Sequence, residues 1–168
     1  MKVYVESQRY EPRCLVFGCG HVGLPLAELA ARCGFDTVAV DSRDAFADAG
    51  RFSIEEGLTV CCDDPLGYLE ETDLQGAYVV ILTHDHGLDE EIVASVLGRG
   101  AAYVGCIGST RKGLMFQQRL RARGVEESEV AQLRTPMGIE LGAETPEEIA
   151  VSVVAEMIKV RRSGQEDG

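Results

Sequence analysis

The chain has 168 residues, 45% hydrophobic and 26% charged, enough for one core of ordinary size in a single globular domain. Its formal net charge of -12 argues against broad electrostatic binding to nucleic acid or anionic membranes, while leaving room for a local cationic pocket. No apolar run approaches the roughly 20 residues of a spanning helix, and Met1–Glu6 holds no signal-peptide core, so a cytoplasmic location with no membrane partner is expected.

Residues 1–13 carry no strong pattern and read as an N-terminal arm or linker remnant, with Pro12 at the entry to a first strand, Cys14–Phe17. That strand breaks into Gly18-Cys19-Gly20-His21-Val22-Gly23, glycines at G-x-G-x-x-G spacing, and a helix-like pattern runs over His21–Cys33. Gly18 permits a tight turn, Gly20 lets the backbone approach a pyrophosphate, and Gly23 lets the helix pack close to the strand. Phosphates then meet free N–H groups at the positive end of the helix. A second strand, Thr37–Val40, ends in Asp41, where an acid stands to accept from an adenosine ribose. Next come a strand over Leu58–Cys62, a helix over Pro65–Glu71 and a strand over Ala77–Leu82. The polar run Thr83-His84-Asp85-His86 follows, before a helix over Asp89–Gly98 and a strand over Tyr103–Ile107. Gly108, Ser109, Thr110, Arg111 and Lys112 open a helix over Arg111–Arg123. Glycine, hydroxyls and two cations at a helix start suit a bound anion; the competing reading is a Ser or Thr cap with solvated cations.

The last helix is the best signalled. Thr145-Pro146-Glu147-Glu148 is a capping box with proline at the first helical position, and the basic Lys159, Arg161 and Arg162 suit its C-terminus. Ahead of it, Gly138 and Gly142 lie in an apolar loop that wraps close to a ligand or to the rest of the protein. Strands alternating with helices indicate an α/β, Rossmann-like, doubly wound fold: a mainly parallel sheet with helices on both faces, in one domain over 14–162 with a flexible tail over 163–168.

Ligands of such sheets bind outside the carboxyl ends of the strands at the switch point, which would gather His21, His84 and His86 at one edge. The plain alternative is that Thr83, Asp85 and Asp89 cap the next helix while the histidines are solvated. A metal held by His84, Asp85 and His86 lacks a defined geometry, and no metal site is assigned. None of the six cysteines forms a C-x-x-C pair. Cys14, Cys61, Cys62 and Cys106 read as buried small hydrophobes. Cys19, at a helix N-terminus, is either a small filler or a thiol of lowered pKa, with the filler favoured.

Read in order, the runs G-x-G-H-V-G, D-S-R, T-H-D-H-x-x-D, G-x-I-G-S-x-R-K and P-x-G-x-x-L-G-A-E-T-P-E-E-I-A-x-S resemble the C-terminal domain of the XdhC/CoxI family, the xanthine dehydrogenase accessory factors. The resemblance covers about residues 14–160. It implies a Rossmann-like domain in a factor that serves molybdenum hydroxylases, some relatives of which bind molybdenum cofactor and help insert it into the apo-enzyme. It carries over to Gly18, Gly20, His21, Gly23, Asp41, Arg43, Thr83, His84, Asp85, His86, Asp89, Gly105, Gly108, Ser109, Arg111, Lys112, Gly138, Gly142, Glu144, Thr145 and Pro146. Longer members carry an additional N-terminal domain for which this chain has no room, which leaves open any role of that domain in cofactor sulfuration. The chain is then a stand-alone module, the partner of a separately encoded N-terminal domain, or a truncated chain.

The leading expectation is a non-catalytic accessory or chaperone protein for maturing molybdenum hydroxylases, holding NAD(P) or molybdenum cofactor in the switch-point crevice. Gly18, Cys19, Gly20, His21, Val22 and Gly23 would take phosphate, Asp41 a ribose hydroxyl, and Arg43 an adenine face or a 2′-phosphate. Thr83, His84, Gly108, Ser109, Arg111 and Lys112 complete the expected cofactor-binding set. The partners implied are an apo molybdenum hydroxylase of the xanthine dehydrogenase type and, alternatively, a second copy in a homodimer. The alternatives are an NAD(P)-dependent oxidoreductase, in which His84, Asp85 or His86 supplies acid–base chemistry, and a regulatory module that senses NAD(H).

Overall fold

β1 (Arg13–Phe17), β2 (Asp36–Asp41), β3 (Leu58–Cys62), β4 (Tyr78–Ile81), β5 (Tyr103–Cys106) and β6 (Leu133–Arg134) form a six-stranded sheet in the order β3-β2-β1-β4-β5-β6. The computed structural model describes residues 11–53 and 56–164. Every neighbouring pair is parallel, with Leu15 of β1 opposite Val38 of β2 and Val79 of β4. Parallel strands need crossovers, to which α1 (Gly23–Arg32), α2 (Pro65–Glu70), α3 (His86–Val96), α4 (Thr110–Ala122) and α5 (Glu127–Val130) belong, while α6 (Pro146–Ser163) follows the last strand. Strand order reverses between β1 and β4, which makes their carboxyl ends the switch point.

Two apolar clusters, one on each face, hold the layers together. Along β1, Leu15 and Phe17 pack with Ile92 and Val96 of α3 and Leu120 of α4, whereas Cys14 and Val16 pack with Leu26 of α1 and Met157 of α6. This is the period of two expected of a strand, with both faces apolar because both are covered. Full burial of each such Leu, Ile or Phe contributes about 1.5–3 kcal/mol. α1 and α6 lie together on the second face, where the Arg161 guanidinium reaches Cys33 O at 3.0 Å and stands 4.4 Å from the Phe35 ring centre. Arg161 thus serves the C-terminal end of α1 rather than its own helix.

The capping box of α6 is present in full. Thr145 Oγ1 accepts from Glu148 N at 3.2 Å, and Glu148 Oε2 accepts from Thr145 N at 3.1 Å, with Pro146 leading the helix. α6 runs on through Ser163, into the segment expected to be tail, while the rest of that expected tail (165–168) and most of the expected N-terminal arm (1–10) lie outside the described residues. α3 starts three residues before the expected Asp89, because Asp85 caps it by accepting from Gly87 N and Leu88 N. α5 and β6 carry too few residues for a periodic signal. Cys14 and Cys106 are buried as expected, but Cys62 is exposed: it ends β3, an edge strand, and its thiol donates to Asp44 Oδ1 at 2.9 Å. No helix among the described residues is long and apolar enough to cross a membrane.

Candidate functional site

The glycine loop is built from close approaches that differ at each glycine. Gly18 has φ +111°, donates to Val40 O at 2.9 Å, and leaves no room for a Cβ, which would fall 2.3 Å from Leu82 O. A Cβ on Gly23 would fall 1.8 Å from Gly18 O, so the first turn of α1 lies directly on the loop. Gly20 is the reverse: a Cβ there meets nothing within 4 Å. Protein packing therefore demands glycine at 18 and 23, while at 20 the space is open. α1 is also the long helix without a side-chain cap. Val22 stands at its N-cap and offers no oxygen, whereas Asp64, Asp85, Ser109 and Thr145 cap α2, α3, α4 and α6. At the start of α1, Leu24 N donates to Gly20 O and Leu26 N to Val22 O, each at 3.1 Å, Pro25 has no N–H, and among the described residues no side chain caps the helix.

Asp41 ends β2 beside this loop, 4% exposed, and its carboxylate is fully engaged. Oδ1 accepts from Arg43 N at 3.0 Å and Arg43 Nε at 2.9 Å, while Oδ2 accepts from Cys19 N at 2.9 Å and Arg43 Nη2 at 2.8 Å. A carboxylate has about four acceptor sites, and here all are used. Burial pushes the carboxyl up, but the Arg43 fork and the Cys19 and Arg43 N–H groups outweigh it and hold the group below the ordinary range. The Arg43 guanidinium also stacks 3.7 Å from the Phe46 ring centre. Arg51, from a short 3-10 turn over Ala49–Arg51, donates to Cys19 O at 2.9 Å and Phe46 O at 2.7 Å. Arg51 and Phe46 brace the loop from a stretch without helical or strand periodicity, and sequence reasoning did not single them out. Cys19 is fully buried, and burial, reinforced by Asp41, pushes its thiol up to about 12. The cysteine fills a slot and carries little thiolate at neutral pH.

At the end of β4 the polar run is mainly a capping arrangement. Thr83 N and Oγ1 donate to Asp89 Oδ1 at 2.9 and 2.7 Å, and Asp85 caps α3. His21, His84, Asp85 and His86 are exposed. His86 Nδ1 lies 3.7 Å from Asp89 Oδ2. Among the described residues no group of three or more His, Cys, Asp and Glu is arranged to hold a metal ion.

Beyond β5 a cleft of about 500 Å³ opens between α3 and α4. It gathers His86, Ser109, Arg111 and Lys112 of the expected set and adds Asp89, Cys106 and Phe116. Gly18–Gly23, Asp41, Arg43, Thr83, His84 and Gly108 do not line it. Ser109 caps α4 by accepting from Lys112 N at 3.3 Å, and Arg111 and Lys112 are exposed. The last loop closes on the protein itself at Gly138, whose Cβ would fall 2.5 Å from Ser152 Oγ. Gly138 N donates to Glu156 Oε2 at 2.9 Å, and Tyr103 donates to the same oxygen at 2.7 Å. Glu156 is a second residue that sequence reasoning passed over, since its position on α6 looks like any solvated one.

A parallel sheet reversing at β1 and β4, with a glycine loop leading into an uncapped helix at that point, defines a Rossmann-type α/β domain. The family model described as the XdhC Rossmann domain matches residues 14–157, and the chain belongs to that family. It is 31% identical over 161 residues to a probable xanthine dehydrogenase subunit of Bacillus subtilis, covering 95% of this chain and 46% of that protein. It is 27% identical over 155 residues to the molybdenum cofactor insertion chaperone PaoD of Escherichia coli, covering 92% of this chain and 42% of PaoD. A crystal structure of a xanthine dehydrogenase from Bacillus halodurans superposes with a TM-score of 0.76 at 31% identity, over 91% of this chain and 43% of that one. The chain thus spans less than half the length of these relatives.

Proposed function

We propose that the domain is an accessory factor in the maturation of molybdenum hydroxylases of the xanthine dehydrogenase type, holding a nucleotide-bearing anionic ligand at the switch point. The observation that carries this reading is the start of α1 beside an open Gly20: among the described residues no side chain caps the helix, and a Cβ on Gly20 would meet nothing within 4 Å. A pyrophosphate complements both features. The family and the chaperone among its members support the role.

NAD(P) and molybdenum cofactor both bring phosphate to such a loop, and residues Gly18–Gly23 would hold it. When bound, the first would supply hydride chemistry and the second the metal-carrying pterin destined for the hydroxylase. The engagement of Asp41 favours the second. An adenosine ribose can use this carboxylate only by displacing part of the Arg43 fork, because its four acceptor sites are occupied. That favours a ligand whose contacts centre on the loop and on the β4 and β5 ends. An oxidoreductase would need a positioned acid or base, and His84 and His86 are both exposed, with His86 Nδ1 at 3.7 Å from Asp89 Oδ2.

The test is a thermal-shift titration of the chain with NAD(H), NADP(H) and a molybdopterin nucleotide. A ligand at 100 times its Kd stabilises a fold by about 2.7 kcal/mol. Stabilisation by the molybdopterin species is the expected result. Stabilisation by NAD(P)(H) alone would favour a nucleotide-dependent enzyme or sensor, and no response to any of them would remove the ligand-holding role.

A further inference from the structure

In dinucleotide-binding sheets the acid that ends the second strand receives the hydroxyls of an adenosine ribose. Asp41 holds that place, and the chain itself occupies it. Residues 42–53 follow β2 and fold back against the glycine loop and α1, tied to β2, the loop, α1 and β3 in turn. The Arg43 guanidinium forks onto the two oxygens of Asp41 at 2.9 and 2.8 Å. Arg51 Nη1 donates to Cys19 O at 2.9 Å, and Ser53 Oγ donates to Glu28 Oε1 on α1 at 2.9 Å. From β3, the Cys62 thiol donates to Asp44 Oδ1 at 2.9 Å. Cys19 is thus gripped twice, by Asp41 at its N–H and by Arg51 at its carbonyl.

The contacts on Asp41 and Phe46 are of the kind a nucleoside makes. A ribose offers neutral hydroxyls to the carboxylate, whereas the Arg43 fork is bidentate and charge-assisted, with bonds roughly twice as strong as neutral ones. Asp41 is 4% exposed, and its oxygens also accept from Cys19 N and Arg43 N, so no acceptor site is left for a hydroxyl. Beside it, the Phe46 ring is an aromatic surface suited to stacking a base. It already has the Arg43 guanidinium at 3.7 Å from its centre and that of Arg51 at 5.0 Å. The phosphate half of the same site is open, since a Cβ on Gly20 would meet nothing within 4 Å. The protein closes one half of a dinucleotide site and leaves the other half free.

We infer that residues 42–53 are a built-in substitute for the adenosine half of a dinucleotide, with Arg43 in the place of the ribose and Arg51 clamping the segment to the glycine loop. The site then admits a ligand through its phosphate, and holds adenosine only when this strap is displaced. The inference rests on the ligand-holding role proposed above and makes Arg43 and Arg51 the residues that set its specificity. An adenosine ligand must break the fork before its hydroxyls reach Asp41, and the neutral bonds it forms there are weaker than the charged ones it breaks. A ligand that engages the loop through phosphate alone breaks nothing. Because Asp41 and Arg51 grip the same residue of the loop, displacing the strap also frees the loop at Cys19.

The test compares ADP with 2′,3′-dideoxy-ADP, which keeps the base and the pyrophosphate but has no ribose hydroxyl to offer Asp41. Calorimetric titration of the full chain should find the two weak and equal. Arg43→Ala frees the carboxylate, so its affinity for ADP should rise by about tenfold, the worth of a hydrogen bond to a charged group, while that for the dideoxy compound should not rise. The variant has one cation fewer, which by itself weakens the binding of an anion, so a gain reports the opened carboxylate. Arg51→Ala leaves the fork in place and should gain less. Hydrogen exchange on the native chain raises no question of folding: saturating ADP should speed exchange over 42–53. Discrimination between the two probes by the native chain, a folded Arg43→Ala protein with no gain, or exchange over 42–53 that slows or holds with ADP would each overturn the inference. If no variant gains ADP affinity while a molybdopterin nucleotide raises the native melting temperature, the strap falls and the ligand-holding role stands. If the gain appears and no molybdopterin nucleotide stabilises the chain, the strap stands and the accessory reading falls.

Discussion

The same substitution three residues apart should have opposite consequences in this protein. In Gly23→Ala the new methyl would lie 1.8 Å from Gly18 O, a backbone atom that is itself pinned by the Gly18 N–H bond to Val40 O at 2.9 Å. Neither α1 nor the loop can yield without losing contact with β1 and β4. Overpacking costs about 1–3 kcal/mol when side chains can adjust, and a backbone collision lies at the upper end or above. At about 3 kcal/mol, with ~2–4 °C per kcal/mol for a domain of this size, the melting temperature should fall by ~6–12 °C. In Gly20→Ala the methyl meets nothing within 4 Å, and Gly20 is not among the glycines of positive φ. Its melting temperature should hold or rise slightly, since Ala in place of Gly gains about 0.4–1 kcal/mol through the unfolded state. Its cost should appear in ligand binding, as a loss of about tenfold, or 1.4 kcal/mol, in affinity for the nucleotide that stabilises the native chain. Differential scanning fluorimetry with and without ligand measures both. A Gly20→Ala protein as unstable as Gly23→Ala would refute the packing argument, and one with unchanged ligand affinity would refute the claim that the space at Gly20 admits phosphate.

Three further outcomes follow from the geometry. Asp41→Asn breaks the Arg43 fork. Because the folded-state pKa of Asp41 lies below its unfolded value, the stabilisation it brings is complete above about pH 4 and lost as pH falls through the folded value. Native and variant melting temperatures should therefore differ at neutral pH and converge in acid; a gap that persists unchanged would contradict the assignment. Glu156→Leu removes the oxygen that accepts from both Tyr103 Oη and Gly138 N and should cost about 1–3 kcal/mol for each donor left unsatisfied, read by chemical denaturation. Brief alkylation of the native protein near pH 8, read by mass spectrometry, should spare Cys14, Cys19 and Cys106, which are buried and whose thiols burial pushes up, to about 12 for the last two. Early modification of Cys19 would show that the glycine loop is more open than described.

Much of the fold was legible in the residues because it rests on local physics. The runs Cys14–Phe17, Thr37–Val40, Leu58–Cys62, Ala77–Leu82 and Tyr103–Ile107 all became parallel strands within a residue or two; four of them are covered on both faces and so are largely apolar, while Leu58–Cys62 lies at the sheet edge and is only partly buried. The Thr145–Glu148 box and the glycine spacing were equally legible, as caps and tight turns are set by neighbours in sequence. Tertiary structure alone decided what the polar residues do. Asp41 stood where a ribose acceptor belongs, yet only the folded chain brings Cys19 N, 22 residues away, and the Arg43 fork onto its two oxygens. Cys62 read as core and became surface because β3 fell at the sheet edge. The cleft draws Asp89 from α3, Cys106 from β5, Lys112 from α4 and Thr135 from beyond β6, and no spacing in one dimension records that meeting. Periodicity encodes which face of an element is buried; which polar atoms are left with or without partners depends on the packing of elements distant in the chain.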